Sequence, residues 1–501
     1  MKLKNIFNTS AKIPAVILSI SLLTGCSKWL DVNPSTRIKE EEQFSVQQGY
    51  VDALFGTYQK LAEEGAYGRL GTYGFVDVLG QLYENKTATA YYGETARYNY
   101  VSEVTTGQQQ NVRGAINAIW SGYYSAIAQA NLILKNVDSR NILSGTSYRI
   151  IKGEALALRA FVHFDLLRLF APAYLNGANA SAAAIPYVEQ FTINPTAKLT
   201  VAEVLDKVER DLKEAEALLE AYTEIDQIAA NQGSTSLDLF LMYRQNHLNY
   251  WAAKAVLARV YQYKGDKVNA LKYATDVINS KKFNFVNPGT LSVDATVDAS
   301  DLTFSSEHIF SLNVSNLKKF ADNYFKSELS ASAEASDLFS TKAKLNTLYE
   351  STLTGYGTDI RTTDASKSLW NQFSTAIVFT RKYYSDKTTN VKQRLVPIIR
   401  LPELYYIAAE AAPTIVEGLN YLNIVRQARL IPVLSAATIT TTALFDAEVQ
   451  KEYRKEFYAE GQVWYYFKRK NITTIPDGVG NPMTAAKYTF PLPLNEIEFG
   501  L

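Results

Sequence analysis

The chain has 501 residues, 47% hydrophobic and 20% charged, which are ordinary globular values and leave room for two or three cores or one large one. Lysine plus arginine (51) nearly balance aspartate plus glutamate (50), so no basic excess points to nucleic acid and no acidic excess to disorder.

The N-terminus is the first readable element. Lys2, Lys4 and Lys12 make a positive region, and Ile13 to Leu23 is an apolar run too short to span a bilayer. Leu23-Thr24-Gly25-Cys26 then sets small residues before the only cysteine of the chain. Residues 1–25 are predicted to be a signal peptide. The tetrapeptide resembles a bacterial lipobox, which implies cleavage before Cys26 and its acylation (palmitate or a similar chain). A lone cysteine in an exported chain cannot close an internal disulfide. Cleavage there takes the net charge from +1 to −2, because three lysines and no acid leave.

Further along, residues 65–110 are rich in Gly, Tyr, Thr and Asn and read as irregular. Residues 115–137 and 148–170 read as helices. The second is apolar almost all round, with Ala155, Leu158, Val162, Leu166 and Leu169 in one row, so it should be buried among others. Thr200 and Glu203 form a capping box, with Leu199 and Val204 as a hydrophobic staple. Val201, Val204, Leu205, Val208, Leu212, Ala215 and Leu219 then follow helical spacing. Residues 251–279 approximate a tetratricopeptide unit through Leu257, Ala258, Tyr261, Gly265, Ala270, Tyr273 and Ala274. Residues 281–395 are mixed, with Ser/Thr/Asp stretches and short β-like runs. Residues 401–430 look like another helix pair. Residues 445–470 read as one helix, acidic near its start (Asp446, Glu448) and basic near its end (Lys468, Arg469, Lys470), as the helix dipole favours. The periods do not repeat cleanly, so the scaffold is irregular rather than a regular solenoid.

Signals for chemistry are weak. His163, His247 and His308 are far apart and form no metal-binding pair. His163, on an apolar helix, reads as a packed core histidine. No G-x-S-x-G elbow is present, and the lone thiol leaves no cysteine nucleophile. Gly68, Gly71 and Gly74 lack the strand–helix context of a phosphate loop. Asp294, Asp298 and Asp301 lack EF-hand spacing and read as a solvated loop. No metal or cofactor is expected. Paired carboxylates for glycoside hydrolysis stay open, because 50 acids offer many pairs.

The positive signal is aromatic, with 33 Tyr, 23 Phe and 5 Trp. Those in the irregular stretches are the candidate ligand contacts: Tyr83, Tyr91, Tyr92 and Tyr98 with Asn85, and Tyr356 and Trp370 later. Tyr100 and Phe373 lie beside them. A loop Tyr or Trp offers a flat apolar face to sugar C–H groups and a polar edge to hydroxyls. The alternative is that these rings seal the loops onto the scaffold.

Several segments resemble the SusD/RagB family of outer-membrane nutrient-binding lipoproteins. They are residues 26–34 (CSKWLDVNP), 120–137 (WSGYYSAIAQANLILKNV), 153–170 (GEALALRAFVHFDLLRLF), 257–279, 400–411 (RLPELYYIAAEA), 422–426 (LNIVR), 452–461 (EYRKEFYAEG) and 488–497. One departure follows Gly461, where Val463 and Tyr466 stand at positions the family usually fills with Arg and Asp. Losing both leaves no lone buried charge.

The resemblance implies a mostly α fold of four irregular tetratricopeptide-like helix pairs (a SusD-like α/α superhelix) with long loop and small β insertions. Residues 26–501 would form one nutrient-binding unit, with an N-terminal part to 280, an insertion over 281–395 and a C-terminal helical part from 396. It also implies a surface-exposed outer-membrane lipoprotein, not an enzyme, that captures an oligosaccharide or oligopeptide. The cargo would pass to a SusC-like TonB-dependent transporter. The alternatives of another class are a surface-anchored hydrolase and a scaffold without ligand.

Overall fold

In a computed structural model of the protein, the structure describes residues 40–84, 86–100, 104–225, 240–242, 244–294, 301–325, 338–363, 368–374, 377–383 and 391–501. Cys26 and the signal peptide lie outside these residues, as does Asn85. Among the described residues no helix is long and apolar enough to cross a membrane.

The chain opens with α1 (Glu40–Gln43), α2 (Gln47–Leu61), α3 (Phe75–Leu79) and α4 (Gly93–Ala96), then the long helices α5 (Gly107–Val137) and α6 (Gly145–Phe170). A two-stranded ribbon, β1 (Ala183–Pro186) with β2 (Lys198–Thr200), leads into α7 (Val201–Leu219). The pair α8 (Tyr250–Lys264) and α9 (Lys267–Asn279) follows. Then come β3 (His308–Asn313), α10 (Leu317–Phe325), α11 (Lys342–Tyr349), β4 (Trp370–Gln372), β5 (Val378–Thr380) and β6 (Leu395–Arg400). The chain closes with α12 (Leu401–Ala411), α13 (Ile415–Ala428), α14 (Thr442–Glu456), α15 (Val463–Arg469) and α16 (Leu494–Phe499).

Four helix pairs carry the scaffold: α2 with α5, α6 with α7, α8 with α9, and α12 with α13. Each packs on the next, α5 on α6, α7 on α8 and α9 on α12. The fold is therefore mostly α, with irregular tetratricopeptide-like pairs and small β insertions.

Local sequence explains the pairs. Thr106 caps α5 with Gln109 in a capping box, and Thr200 caps α7 with Glu203 in the same way. Helix α7 buries Val201, Val204, Leu205, Val208, Leu212, Ala215 and Leu219 on one stripe. Helix α6 is buried on all sides from Gly153 to Phe170, as its unbroken apolar pattern requires. Its polar side chains are each matched: Arg159 Nε donates to Asp211 at 2.7 Å, and the Tyr67 and Tyr58 hydroxyls donate to Asp165 and Glu154, each at 2.7 Å. Gly265 turns α8 into α9 at φ +77°, the left-handed conformation glycine takes most cheaply.

The segment 445–470 is not one helix. It divides into α14 and α15, because Ala459 (φ +60°) and Gly461 (φ +71°) are left-handed. The Asp77 carboxylate accepts the Ala459 and Gly461 backbone N–H groups, both at 2.9 Å, and pins the break to α3.

Strand β3 runs antiparallel to β6, with His308 opposite Arg400. This sets Glu307 beside Arg400, at the centre of a buried ion network. Arg400 bonds Glu307 at 2.9 Å, Glu456 at 2.7 Å and Glu460 at 2.8 Å. Arg429 bonds Glu307 and Glu456, each at 2.7 Å. Arg361 bonds Asp359 at 2.8 Å and Glu456 at 2.9 Å, and Arg426 bonds Glu452 at 2.7 Å. Burial alone would push the Glu456 carboxyl up, but Arg429, Arg400 and Arg361 hold it well below its ordinary value. Val463 and Tyr466 are both buried, the latter packed on Tyr453 at 4.5 Å, so the departure from the family pattern is filled by packing.

Candidate functional site

Between α2 and α3 the chain folds through successive tight turns. Gly71 lies so close to α5 that a Cβ there would be 2.5 Å from the Tyr123 hydroxyl. These turns deliver Arg69 to a cluster of aromatic rings. Its Nη2 sits 2.6 Å from Glu64 Oε1, and its Nη1 donates to the Tyr92 hydroxyl at 3.3 Å. The guanidinium lies 5.5 Å from the centre of the Tyr324 ring on α10. Tyr91 meets Tyr92 edge-on at 4.9 Å. Burial opposes the charge on Arg69, but Tyr92, Tyr324 and Glu64 more than reverse that, and its affinity for the proton is raised.

Two members face water. The Glu64 side chain is 45% exposed, and Tyr91 is half-buried. The cluster thus offers a carboxylate acceptor, guanidinium donors behind it and a partly open phenol ring. That set matches a sugar, which has an apolar C–H face rimmed by hydroxyls. For proton transfer or metal binding it is poorly composed. Among the described residues no group of three His, Cys, Asp or Glu could hold a metal ion.

Of the aromatics expected from sequence, the structure brings Tyr91 and Tyr92 into this cluster. Three of the expected contacts are core packing. Tyr83 is buried, its hydroxyl donates to Tyr73 O at 2.7 Å, and its ring meets Tyr458 edge-on. Tyr98 is buried flat against Trp464 at 5.5 Å and 19°. Trp370 is buried, with its indole N–H on Arg361 O at 2.8 Å and its ring against Tyr458 at 4.7 Å. Tyr92, also buried, forms the floor of the cluster rather than an open face. Tyr356 is half-buried and accepts from Arg426 at 2.7 Å. Tyr83, Tyr98 and Trp370 seal the loops because each has both an aromatic neighbour and a backbone partner for its polar atom.

Sequence reasoning missed Arg69, Glu64 and Tyr324. The signal available was Arg69 between Gly68 and Gly71, a lone cation where the backbone is forced into tight turns. Tyr324 lies more than 250 positions away, and nothing local ties it to Arg69.

The histidines are structural. His163 is fully buried, takes the Val188 N–H at 3.0 Å, bonds Arg159 O at 2.8 Å and stacks on Tyr187 at 3.9 Å. Burial, first, pushes its pKa down to about 3. Asp301 accepts from Ser305 N and Oγ, a loop-closing role, while Asp298 lies outside the described residues.

An open groove of about 750 Å³ lies elsewhere, lined by Trp120, Tyr124, Phe191, Ile193, Leu494 and Phe499 among others. None of the aromatics expected from sequence lines it.

Comparison with known proteins agrees with this architecture. Residues 28–262 match the family described as "Starch-binding associating with outer membrane", and residues 310–496 match the "SusD family". No curated protein sequence matches. A SusD superfamily protein of Bacteroides thetaiotaomicron superposes with a TM-score of 0.67 at 23% identity, over 90% of this chain and 98% of that one. A Bacteroides vulgatus chain named as a candidate sugar-binding protein gives 0.67 at 25% identity, over 91% and 97%. Another Bacteroides vulgatus chain, named a SusD-like carbohydrate-binding protein, gives 0.61 at 16% identity, over 91% and 96%.

Proposed function

We propose, from the premise that this chain belongs to the SusD/RagB family, that it captures an oligosaccharide at the cell surface and delivers it to a TonB-dependent outer-membrane transporter. The observation that carries this reading is the Arg69–Glu64–Tyr91–Tyr92–Tyr324 cluster, in which a half-open ring stands beside charged hydrogen-bonding groups. Each stacking contact contributes about 1 kcal/mol beyond burial. A few of them, less the cost of association, give affinities of roughly micromolar to millimolar. Fast release at such affinities suits transfer rather than storage. An oligopeptide cargo uses the same logic with side chains in place of sugar rings.

Cys26 is the proposed anchor, with acyl chains holding the body to the outer membrane. The fold suggests which side faces the membrane. Glu40, at the start of α1, pairs with Lys135 at 2.9 Å, and the Lys135 ammonium lies 5.7 Å over the ring of Phe191 at the rim of the open groove. Glu40, the first described residue, therefore lies close to that groove. Around it Ile193, Leu494, Ile497 and Phe499 are all more than half exposed, an apolar surface of the kind a partner covers. This supports a transporter contact there.

Titrating the protein with a panel of neutral oligosaccharides and peptides tests the capture reading. Saturable binding without turnover, weakened by Tyr91→Ala, is expected. Release of shorter products would instead establish a hydrolase. For the anchor, mass spectrometry of the membrane fraction should find acyl chains on residue 26, and Cys26→Ser should release the body. For the contact, Ile193→Asp with Phe499→Asp should abolish co-purification of the transporter while leaving glycan affinity unchanged.

A further inference from the structure

A second open cleft, of about 770 Å³, is lined by Lys86, Lys344, Lys451, Arg454, Glu350 and Asp477 among others. Its cations are unevenly matched. Lys451 pairs with Glu350 at 3.0 Å and Glu448 at 2.8 Å, and Arg454 pairs with Asp477 at 2.7 Å. Lys344, on α11, donates to Tyr83 O at 2.8 Å and Gln81 O at 3.0 Å, with Glu84 3.4 Å away. Lys86 donates to the same Gln81 oxygen at 3.2 Å and to Asp477 O at 2.8 Å.

Two ammonium groups thus share one carbonyl oxygen. Each is a hydrogen bond from it, so they lie within about 6 Å of each other. Like charges this close repel, and the carbonyl oxygens together with the Glu84 carboxylate, 3.4 Å from Lys344, offset the repulsion only in part, since both ammonium groups stay below their ordinary affinity for the proton. A negative group set between them and the open cleft would relieve it. Lysine suits that task, because its ammonium is a compact point charge that takes carboxylate or sulfate in many orientations.

We propose that the Lys86–Lys344 pair seats an anionic group, a carboxylate or sulfate, borne by the captured saccharide. The sugar part of this inference rests on the capture reading above; the anion seat itself does not. Lys86 stands five residues before Tyr91, so the Cα atoms of the two residues lie within about 17 Å of each other. One acidic oligosaccharide could engage both.

Protonation supports the geometry. Burial, then the neighbouring Lys344 charge, holds the Lys86 ammonium down to about 7, and burial holds Lys344 below its ordinary value. The charged groups around Lys86 are Lys344, Glu84 and Asp477, with Arg454, Lys451 and Glu350 further along the cleft. Because an anion favours the charged lysine, acidic glycans should bind more weakly as pH rises through 7.

Calorimetry on the purified protein at pH 6.5 tests this, with inorganic sulfate, oligogalacturonate, a sulfated oligosaccharide and a neutral oligosaccharide of equal length as probes. Oligogalacturonate or the sulfated probe should bind at least about tenfold more tightly than the neutral one. That preference should shrink several-fold at pH 8.5. Lys86→Gln should erase it without changing the neutral affinity or the melting temperature, and Lys86→Arg should restore part of it. Which charged probe binds better identifies the anion. Equal affinity for charged and neutral probes, or a preference that survives Lys86→Gln, overturns the seat and leaves capture standing. Sulfate binding through Lys86 with no glycan binding at all keeps the seat and overturns capture.

Discussion

Tyr91 and Trp370 show how aromatic side chains of the irregular segments take opposite roles. Tyr91 is half-buried beside Arg69 and Glu64, whereas Trp370 is closed in by Tyr349 and Tyr458. Tyr91→Ala should therefore weaken glycan binding by about 1 kcal/mol, roughly fivefold in Kd, with little change in denaturant midpoint. Trp370→Ala should leave any residual binding in proportion to folded protein but lower stability by about 3–5 kcal/mol. Urea melts beside binding isotherms separate the two. His163 makes a pH prediction. Its pKa is depressed to about 3 in the fold, so the unfolded chain binds more protons below about 6.5, and its contribution to stability falls as pH drops from 6.5 toward 3. The slope is at most about 1.4 kcal/mol per pH unit. Asp77, raised to about 7 by burial, works in the opposite direction. The test is therefore the difference between wild type and His163→Gln: the gap in unfolding free energy should change between pH 7 and pH 4.5, with wild type losing more. Parallel profiles would show that His163 does not titrate as its burial implies.

At the scale of elements, the helix pairs depend on their connections. Gly265 has φ +77°, and a Cβ there would meet Asn176 Oδ1 at 1.9 Å. Gly265→Ala should cost about 1–2 kcal/mol from the left-handed backbone alone, and more from the clash. Thr200→Ala removes the α7 cap and should cost about 1 kcal/mol. Both costs should appear in thermal melts without altering which glycans bind, because neither position touches the Arg69 cluster. The division of α14 from α15 follows the same logic in reverse. Two left-handed residues and a captured pair of amide groups override a charge pattern that, by itself, suits one continuous helix.

Across the whole molecule, the ion network joins the late strand pair to the C-terminal helices. Arg400, Arg426, Glu452, Glu456 and Glu460 are all among its members and all fall in the segments that resemble the family. Their shared role is structural: each is buried, and each faces an opposite charge. Breaking such a network from one side leaves an unpaired buried charge. Arg429→Met should destabilise the protein by about 3–5 kcal/mol, read in urea titrations, without a specific loss of ligand selectivity. A loss below about 1 kcal/mol would mean that water enters the network and screens it.

The sequence by itself determined the helices from α5 to α9, the pair α12 and α13, the cap at Thr200 and the all-round burial of α6. These follow from periodicity and local capping, which act within a few residues. It also marked the loops as aromatic, but it did not say which rings stay open. Tyr83, Tyr98 and Trp370 look the same as Tyr91 in a linear reading. Only the tertiary structure, by bringing Tyr73, Trp464 and Tyr458 against the first three, closed them and left the fourth beside Arg69. The physical reason is range: a ring's exposure depends on partners that can lie far along the chain, as Trp464 does from Tyr98, whereas a helix depends on neighbours three and four residues along.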